Sequence, residues 1–185
     1  MTQTSLGEAY LRSTLRTYRI YKDLGERAIA QVTSEADLHH QIDPESNSIA
    51  VIVKHVAGNL RSRFRDFLTS DGEKPDRNRD AEFETTEAVS RDEILRWWND
   101  GFRVAIESIE ALGPEDLERT VTIRKEEFLV VEALNRSVTH TSYHVGQIVY
   151  VARHLAGPAF KSLSIPKGRS AQAAVGTYKA EMRRP

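Results

Sequence analysis

Cysteine is absent from this sequence, and its absence removes several kinds of site at once. Disulfide bridges, cysteine-ligated zinc and a cysteine nucleophile are all excluded. A metal site in this chain must therefore use nitrogen and oxygen ligands.

An excess of charge of either sign is also missing, as is any long apolar run. The formal net charge is −1 over 185 residues, so no general basic character indicates nucleic-acid binding. No apolar run approaches the roughly 18 residues that a membrane span needs. Residues 1–6 show neither the basic nor the apolar region of a secretory signal. We therefore expect a soluble cytoplasmic protein that binds neither nucleic acid nor membrane.

Apolar residues recur at three- and four-residue steps in four stretches, which is the spacing of amphipathic helices. The pattern predicts helices over about residues 5–33, 47–70, 91–112 and 130–155. Ser90 and Glu93 form a capping box before the third helix. The sequence therefore predicts an all-α fold, a four-helix bundle that forms a single domain over residues 1–160. Residues 161–185 have weak periodicity, so we expect a loosely held C-terminal tail.

Two connections have distinct compositions. Residues 71–84 are polar and dense in charge, which is typical of a solvated loop. Residues 121–123 and 128–130 are apolar and flank a charged run, so we expect a short hairpin or extended turn before the last helix.

The residues that carry chemistry are histidines. His140 and His144 lie four positions apart on the predicted fourth helix, which places their Cβ atoms roughly 5–6 Å apart, close enough to bind one metal ion. At 100° per residue both fall at the edge of the apolar arc, facing the interior or a cleft. A zinc-type site needs at least three protein ligands. His55, beside the apolar stripe of the second helix, is the best third ligand, because facing helices can bring imidazoles to one point.

These histidines also have a simpler interpretation. A histidine on an apolar face is often a buried side chain that bonds a backbone carbonyl. The spacing lacks the glutamate of the H-E-x-x-H motif, so a metalloprotease is disfavoured. His39 and His40 fall in a predicted loop and His154 falls on the polar side of its helix, so we expect these three to lie outside the site.

Several separated stretches form a combination much more specific than the histidine spacing alone: Asn47–Leu60, Asp71–Lys74, Arg77–Asp80, Glu82–Phe83, His140–Ile148 and Ser164–Gly168. Together they resemble the DinB/YfiT-like superfamily of metal-dependent four-helix-bundle proteins, and one of its subfamilies of unknown function. The resemblance spans nearly the whole chain.

This resemblance implies an up-down-down-up type of bundle, a frequent homodimer, and a divalent metal of the Zn, Ni or Fe class. Carried over position by position, the metal ligands are His55, His140 and His144. Characterised relatives include thiol-dependent S-transferases and isomerases, in which the metal activates a low-molecular-weight thiol. Because this chain has no cysteine, such a thiol would have to be a cosubstrate.

Four further residues are candidates for the surroundings of the metal. Asn59 and Gln147 each lie about one turn from a proposed ligand, where they could orient an imidazole or simply satisfy a helix-face hydrogen bond. Arg77 and Arg79 could hold a substrate carboxylate. The alternative, which we favour for the 71–83 segment, is an ion-paired loop that packs Phe83 on the bundle.

Two functions of different classes follow. The first is an enzyme, a metal-dependent thiol S-transferase or a hydrolase that acts on a small molecule, and it predicts a pocket of several hundred Å³ beside the metal. The second is a non-catalytic metal-binding or stress-response dimeric module, and it predicts no adjoining cavity.

Overall fold

The computed structural model describes residues 4–84 and 89–172. Four helices make up most of it: α1 (Leu6–Ile29), α2 (Ile49–Phe64), α3 (Arg91–Glu110) and α4 (Val130–Ala156). The strands β1 (Thr120–Ile123) and β2 (Glu126–Leu129) form an antiparallel hairpin between α3 and α4. The predicted four-helix bundle and the hairpin before its last helix are confirmed.

Serine caps fix where the first three helices begin. Ser5 and Glu8 form a reciprocal capping box at α1, with distances of 2.7 and 3.1 Å. Ser48 and Ser90 each accept a hydrogen bond from the backbone nitrogen three residues later. These caps satisfy helix-terminal N–H groups that would otherwise lack partners.

α2 ends earlier than its apolar pattern predicts. The last helical residue is Phe64, and Asp66 takes a left-handed backbone conformation with φ of +51°. Phe67 is nevertheless buried, because the turn that follows the helix folds it back onto the core. The apolar pattern indicated that Phe67 is buried, but such a pattern does not distinguish a buried turn from a continued helix.

Each of α1 and α2 packs against both α3 and α4, so α1 and α2 occupy opposite corners of the bundle. Aromatic side chains fill the centre: Tyr18 meets Phe64 and Phe102 edge to face, with ring centroids 5.8 and 6.3 Å apart. The Tyr18 hydroxyl donates to Ser137 on α4 at 2.6 Å. These contacts fix α4 against the rest of the core and so set the positions of the histidines on it.

The connection between α2 and α3 is attached to the hairpin. Asp71 accepts hydrogen bonds from the backbone nitrogens of Arg124 and Lys125, at 2.9 and 2.8 Å. Both residues have positive φ, which matches a tight hairpin turn. The segment that was predicted as a solvated loop is therefore held against the bundle along part of its length.

The start of the predicted tail touches the bundle. Leu163 packs against the core, as does Phe160 directly before the tail, and the Lys161 backbone nitrogen donates to the Gln31 side chain at 2.6 Å. Residues 173–185 lie outside the described part, so the loosely held tail stays a prediction. In the described part, no helix has both the length and the apolar character to cross a membrane.

Candidate metal centre

Three imidazole rings converge between two helices. His55 comes from α2, and His140 and His144 come from α4. The Nε2 atoms of His55 and His140 lie 3.2 Å apart, and one nitrogen from each ring lies within 4.8 Å of the others. Nitrogens that share a tetrahedral zinc ion at 2.0–2.1 Å lie about 3.3 Å apart. The His55–His140 pair thus stands at the separation that a shared ion requires, and one nitrogen of His144 lies within 4.8 Å of both of these rings.

The hydrogen-bond partners of two rings assign their tautomers. His55 Nδ1 lies 2.8 Å from a Glu82 carboxylate oxygen, and His144 Nδ1 lies 2.7 Å from Gln147 Oε1. Gln147 in turn donates to the Tyr143 hydroxyl at 3.2 Å, which fixes the orientation of its amide. Both oxygens only accept, so each Nδ1 carries the hydrogen and each Nε2 presents a lone pair. This is the arrangement of metal-ligating histidines whose outer nitrogen is held in place.

His140 completes the cluster and is less well satisfied. Its Nδ1 is buried without a hydrogen-bond partner, and its Nε2 faces that of His55. Burial, followed by the neighbouring imidazoles of His144 and His55, lowers the pKa of His140 to about 3. Burial also lowers the pKa of His144. Both rings are therefore neutral at pH 7, the form that binds metals. A set of three imidazole ligands suits Zn, Ni or Fe(II).

Glu82 is the functional residue that sequence reasoning missed. It lies on a short 3₁₀ turn (Asp80–Glu82) in the connection between α2 and α3, and its side chain is 8% exposed. Arg77 donates to its two oxygens at 2.8 and 2.9 Å. Burial raises the pKa of Glu82, but the hydrogen bonds from His55 and Arg77 outweigh it, so the pKa is lowered and the carboxylate stays charged. A charged acceptor on His55 Nδ1 makes that imidazole a better ligand.

Gly58 makes room for this carboxylate. A Cβ atom at position 58 would lie 2.2 Å from Glu82 Oε1. A glycine inside the predicted second helix, three residues after His55, was the one sequence signal that another group packs closely against this part of the helix. It does not identify which residue approaches.

A cavity of about 150 Å³ opens beside His55 and His140. Its lining is rich in arginine: Arg63, Arg77, Arg79, Arg124 and Arg136. A separate groove of about 480 Å³ runs past Gln147, Tyr143 and Tyr150, and none of the three histidines lines it. The cavity is smaller than the several hundred Å³ expected of an enzyme, but it adjoins two of the three imidazoles.

The structure separates the remaining candidates. Gln147 contacts His144, as described above, whereas Asn59 lines the cavity and makes no hydrogen bond to an imidazole of the described chain. Arg77 is buried against Glu82, while Arg79 is half exposed and lies over the Phe83 ring at 5.0 Å.

The histidines that we placed outside the site do lie apart from the cluster. The His39 ring bonds the Val89 carbonyl at 2.8 Å, and His40 and His154 are exposed. The three cavity arginines outside the 71–84 segment, Arg63, Arg124 and Arg136, were not predicted as site residues.

Comparison with known proteins gives a family and a fold. The sequence model of the family described as "Protein of unknown function (DUF1572)" matches residues 5–169. Among curated proteins, none matches the chain. A solved structure of YfiT from Bacillus subtilis, described as "a probable metal-dependent hydrolase with an unusual four-helix bundle topology", superposes with a TM-score of 0.60. The two are 16% identical over 84% of this chain and 91% of that one. The bundle is thus of the YfiT-like type that the sequence resembles.

Proposed function

The chain belongs to the DUF1572 family, and from its YfiT-like fold and its histidine cluster we propose that it is a divalent-metal-dependent enzyme acting on a small molecule. His55, His140 and His144 are the proposed metal ligands. The observation that carries the proposal is the convergence of three imidazoles, two of which turn a lone pair inward because Glu82 and Gln147 hold their outer nitrogens.

The donor set supports this assignment. His55 and His144 each present an Nε2 lone pair to the centre of the cluster. Because the Nδ1 of His140 has no hydrogen-bond partner, that ring is free to carry its hydrogen there and present its Nε2 as the third ligand. A bound divalent ion supplies Lewis acidity and lowers the pKa of an acid that joins it, such as water or a thiol. Three protein ligands leave a position for that partner, which is typical of catalytic rather than structural sites.

The chain's own residues would hold and orient the reactants. His55 and His140 form one wall of the 150 Å³ cavity, so a molecule there would touch the site directly. The Asn59 amide lines the same cavity and can donate or accept a hydrogen bond to the substrate. The nucleophile must come from outside, either water for a hydrolase or a low-molecular-weight thiol for an S-transferase, because the chain has no cysteine. The cavity is smaller than the enzyme predicts, but the non-catalytic metal-binding module predicts no adjoining cavity, so its presence favours the enzyme.

Metal analysis of the purified protein tests the proposal. We expect about one divalent ion per chain in the wild type and loss of most of it in His55→Ala and His140→Ala. His154→Ala is the matched control, since that histidine lies exposed on the same helix as His140. A metal content that is equal in His140→Ala and His154→Ala would contradict the site.

A screen for activity then separates the two reactions. Thiol conjugation and ester hydrolysis are measured with and without chelator, and chelator should abolish whichever reaction the protein catalyses. Full activity in chelator-treated protein that is shown to contain no metal would overturn the proposed metal dependence.

A homodimer and a cytoplasmic location remain part of the proposal. Tyr143 and Tyr150 are 64% and 72% exposed on α4, which supports a further contact on this surface. Light scattering would give the mass, with twice 20.9 kDa expected.

A further inference from the structure

The cavity beside His55 and His140 has an unusual balance of charge. Five arginines line it, and none of the aspartates or glutamates among residues 4–84 and 89–172 does. Apart from His55 and His140, its other lining residues are apolar, small or amide-bearing, namely Asn59, Ile123, Ala133 and Ser137. Within the described part of the chain, the space is therefore bounded by guanidinium groups and by no carboxylate.

The nearby carboxylates do not compensate for these arginines. Glu73 is shared, with one oxygen 3.0 Å from Arg63 Nη2 and 2.8 Å from Arg124 Nε. Glu82 accepts hydrogen bonds from Arg77 and from His55. Asp80 lies 3.6 Å from Arg79. Three carboxylates thus serve four arginines and one imidazole, so a surplus of positive charge remains at the cavity wall.

Arg77, which lines this cavity, carries an unsatisfied donor. Its side chain is only 5% exposed, and its Nη1 is buried without a hydrogen bond. Glu73 Oε1 lies 3.5 Å from that nitrogen, which is an ion-pair distance rather than a hydrogen bond. A buried charged donor left unpaired is costly, so a ligand that supplies an acceptor gains the difference on binding.

Arg136 lines the same cavity from α4. It lies on α4 with its guanidinium 5.5 Å from the centroid of the Phe128 ring, and within the described ranges it pairs with no carboxylate. The aromatic face holds the guanidinium without neutralising it, which leaves its N–H groups for a ligand.

We propose that this cavity binds the oxyanion group of a small substrate, a carboxylate or a phosphate, between Arg77, Arg124 and Arg136. The inference rests on the proposed function, because it places the anionic end of the substrate so that the rest of the molecule reaches the histidine cluster. The volume of about 150 Å³ is well above the roughly 10–15 Å³ that a cavity needs to hold one water, so it has room for a small organic acid.

Calorimetric titration of the zinc-loaded full chain tests the inference. The probes are succinate and inorganic phosphate, with succinamide as the neutral counterpart of succinate. We expect one or both anions to bind and succinamide not to bind. Arg136→Gln should weaken the binding of the anion about tenfold, because one charge-assisted hydrogen bond is lost. Preference between succinate and phosphate identifies the group that the site takes.

Arg153→Gln is the matched control. Arg153 also lies on α4 and also stands over a phenylalanine, with 5.7 Å to the centroid of the Phe160 ring, but it does not line the cavity. Zinc content is measured in every variant. Anion binding weakened in Arg136→Gln and retained in Arg153→Gln, with equal zinc, supports the inference.

Other outcomes separate the two proposals. Equal affinity in wild type and Arg136→Gln, or no binding of either anion, overturns the oxyanion site and leaves the metal site standing. Arg136-dependent binding in a protein that takes up neither zinc, nickel nor iron(II) supports the oxyanion site and overturns the proposed metal-dependent function.

Discussion

Replacement of Glu82 by glutamine should weaken metal binding although Glu82 is not a proposed ligand. The wild-type carboxylate accepts from His55 Nδ1 at 2.8 Å and from Arg77 at 2.8 and 2.9 Å. Glutamine keeps one oxygen for these donors, but its amide NH₂ faces a donor of Arg77 and its charge is zero. The loss of such an outer partner typically costs 10- to 100-fold in metal affinity, or about 1.4–2.8 kcal/mol.

The same substitution should destabilise the metal-free fold. Glu82 and Arg77 are 8% and 5% exposed at their side chains, so the lost hydrogen bond is not replaced by water. Leaving a buried charged donor unpaired costs about 2 kcal/mol, which lowers the melting temperature of a chain of this size by about 4–8 °C. A competition titration against a chromophoric chelator gives the zinc affinity, and thermal unfolding in chelator gives the stability.

Glu107→Gln is the control for this experiment. Glu107 pairs with Arg103 at 2.8 Å on the exposed face of α3, and both side chains are more than half exposed. Such a surface pair contributes about 0–1 kcal/mol, and it lies away from the histidines. A zinc affinity for Glu82→Gln within twofold of that of Glu107→Gln would refute the role assigned to Glu82.

Three further predictions follow from the same geometry. Gly58→Ala should reduce zinc affinity because its Cβ would lie 2.2 Å from Glu82 Oε1. Gly146→Ala is the control: nothing lies within 4 Å of its Cβ, so the substitution should leave zinc affinity unchanged and stabilise α4. Equal zinc affinities in the two variants would contradict the close approach of Glu82 to Gly58. The metal-free protein should lose stability as the pH falls from 6.5 toward 3, because the pKa of His140 is lowered from 6.5 to about 3 and the unfolded chain takes up the proton first. The slope is about 1.4 kcal/mol per pH unit for one proton, and chemical denaturation of His140→Ala should show a shallower one. Zinc at 100 times its Kd should raise the free energy of unfolding by about 2.7 kcal/mol, and denaturant melts of His55→Ala should show no such gain.

Periodicity was sufficient to predict the fold. The apolar stripes located all four helices, and the short apolar runs on either side of a charged turn located the hairpin. The error at the end of α2 has a local cause, since Asp66 adopts positive φ while Phe67 still reaches the core. A helical stripe cannot reveal such a turn.

The candidate site was predictable only in part. His140 and His144 share a helix, so their spacing alone predicted their proximity. Glu82 lies 27 residues from His55, in an irregular connection whose path depends on contacts such as that between Asp71 and the hairpin turn. Arg124 and Arg136 reach the cavity through the hairpin and the polar side of α4, where surface charge is the ordinary expectation. Their relation to the site is tertiary and leaves no periodic signal.

Anomalous diffraction from zinc-loaded crystals, recorded on both sides of the zinc absorption edge, tests the central claim most directly. We predict one strong peak enclosed by His55, His140 and His144, with three Nε2 atoms at about 2.0–2.1 Å from it. A peak elsewhere on the chain, or one bound by fewer than three of these imidazoles, would contradict the proposed metal centre.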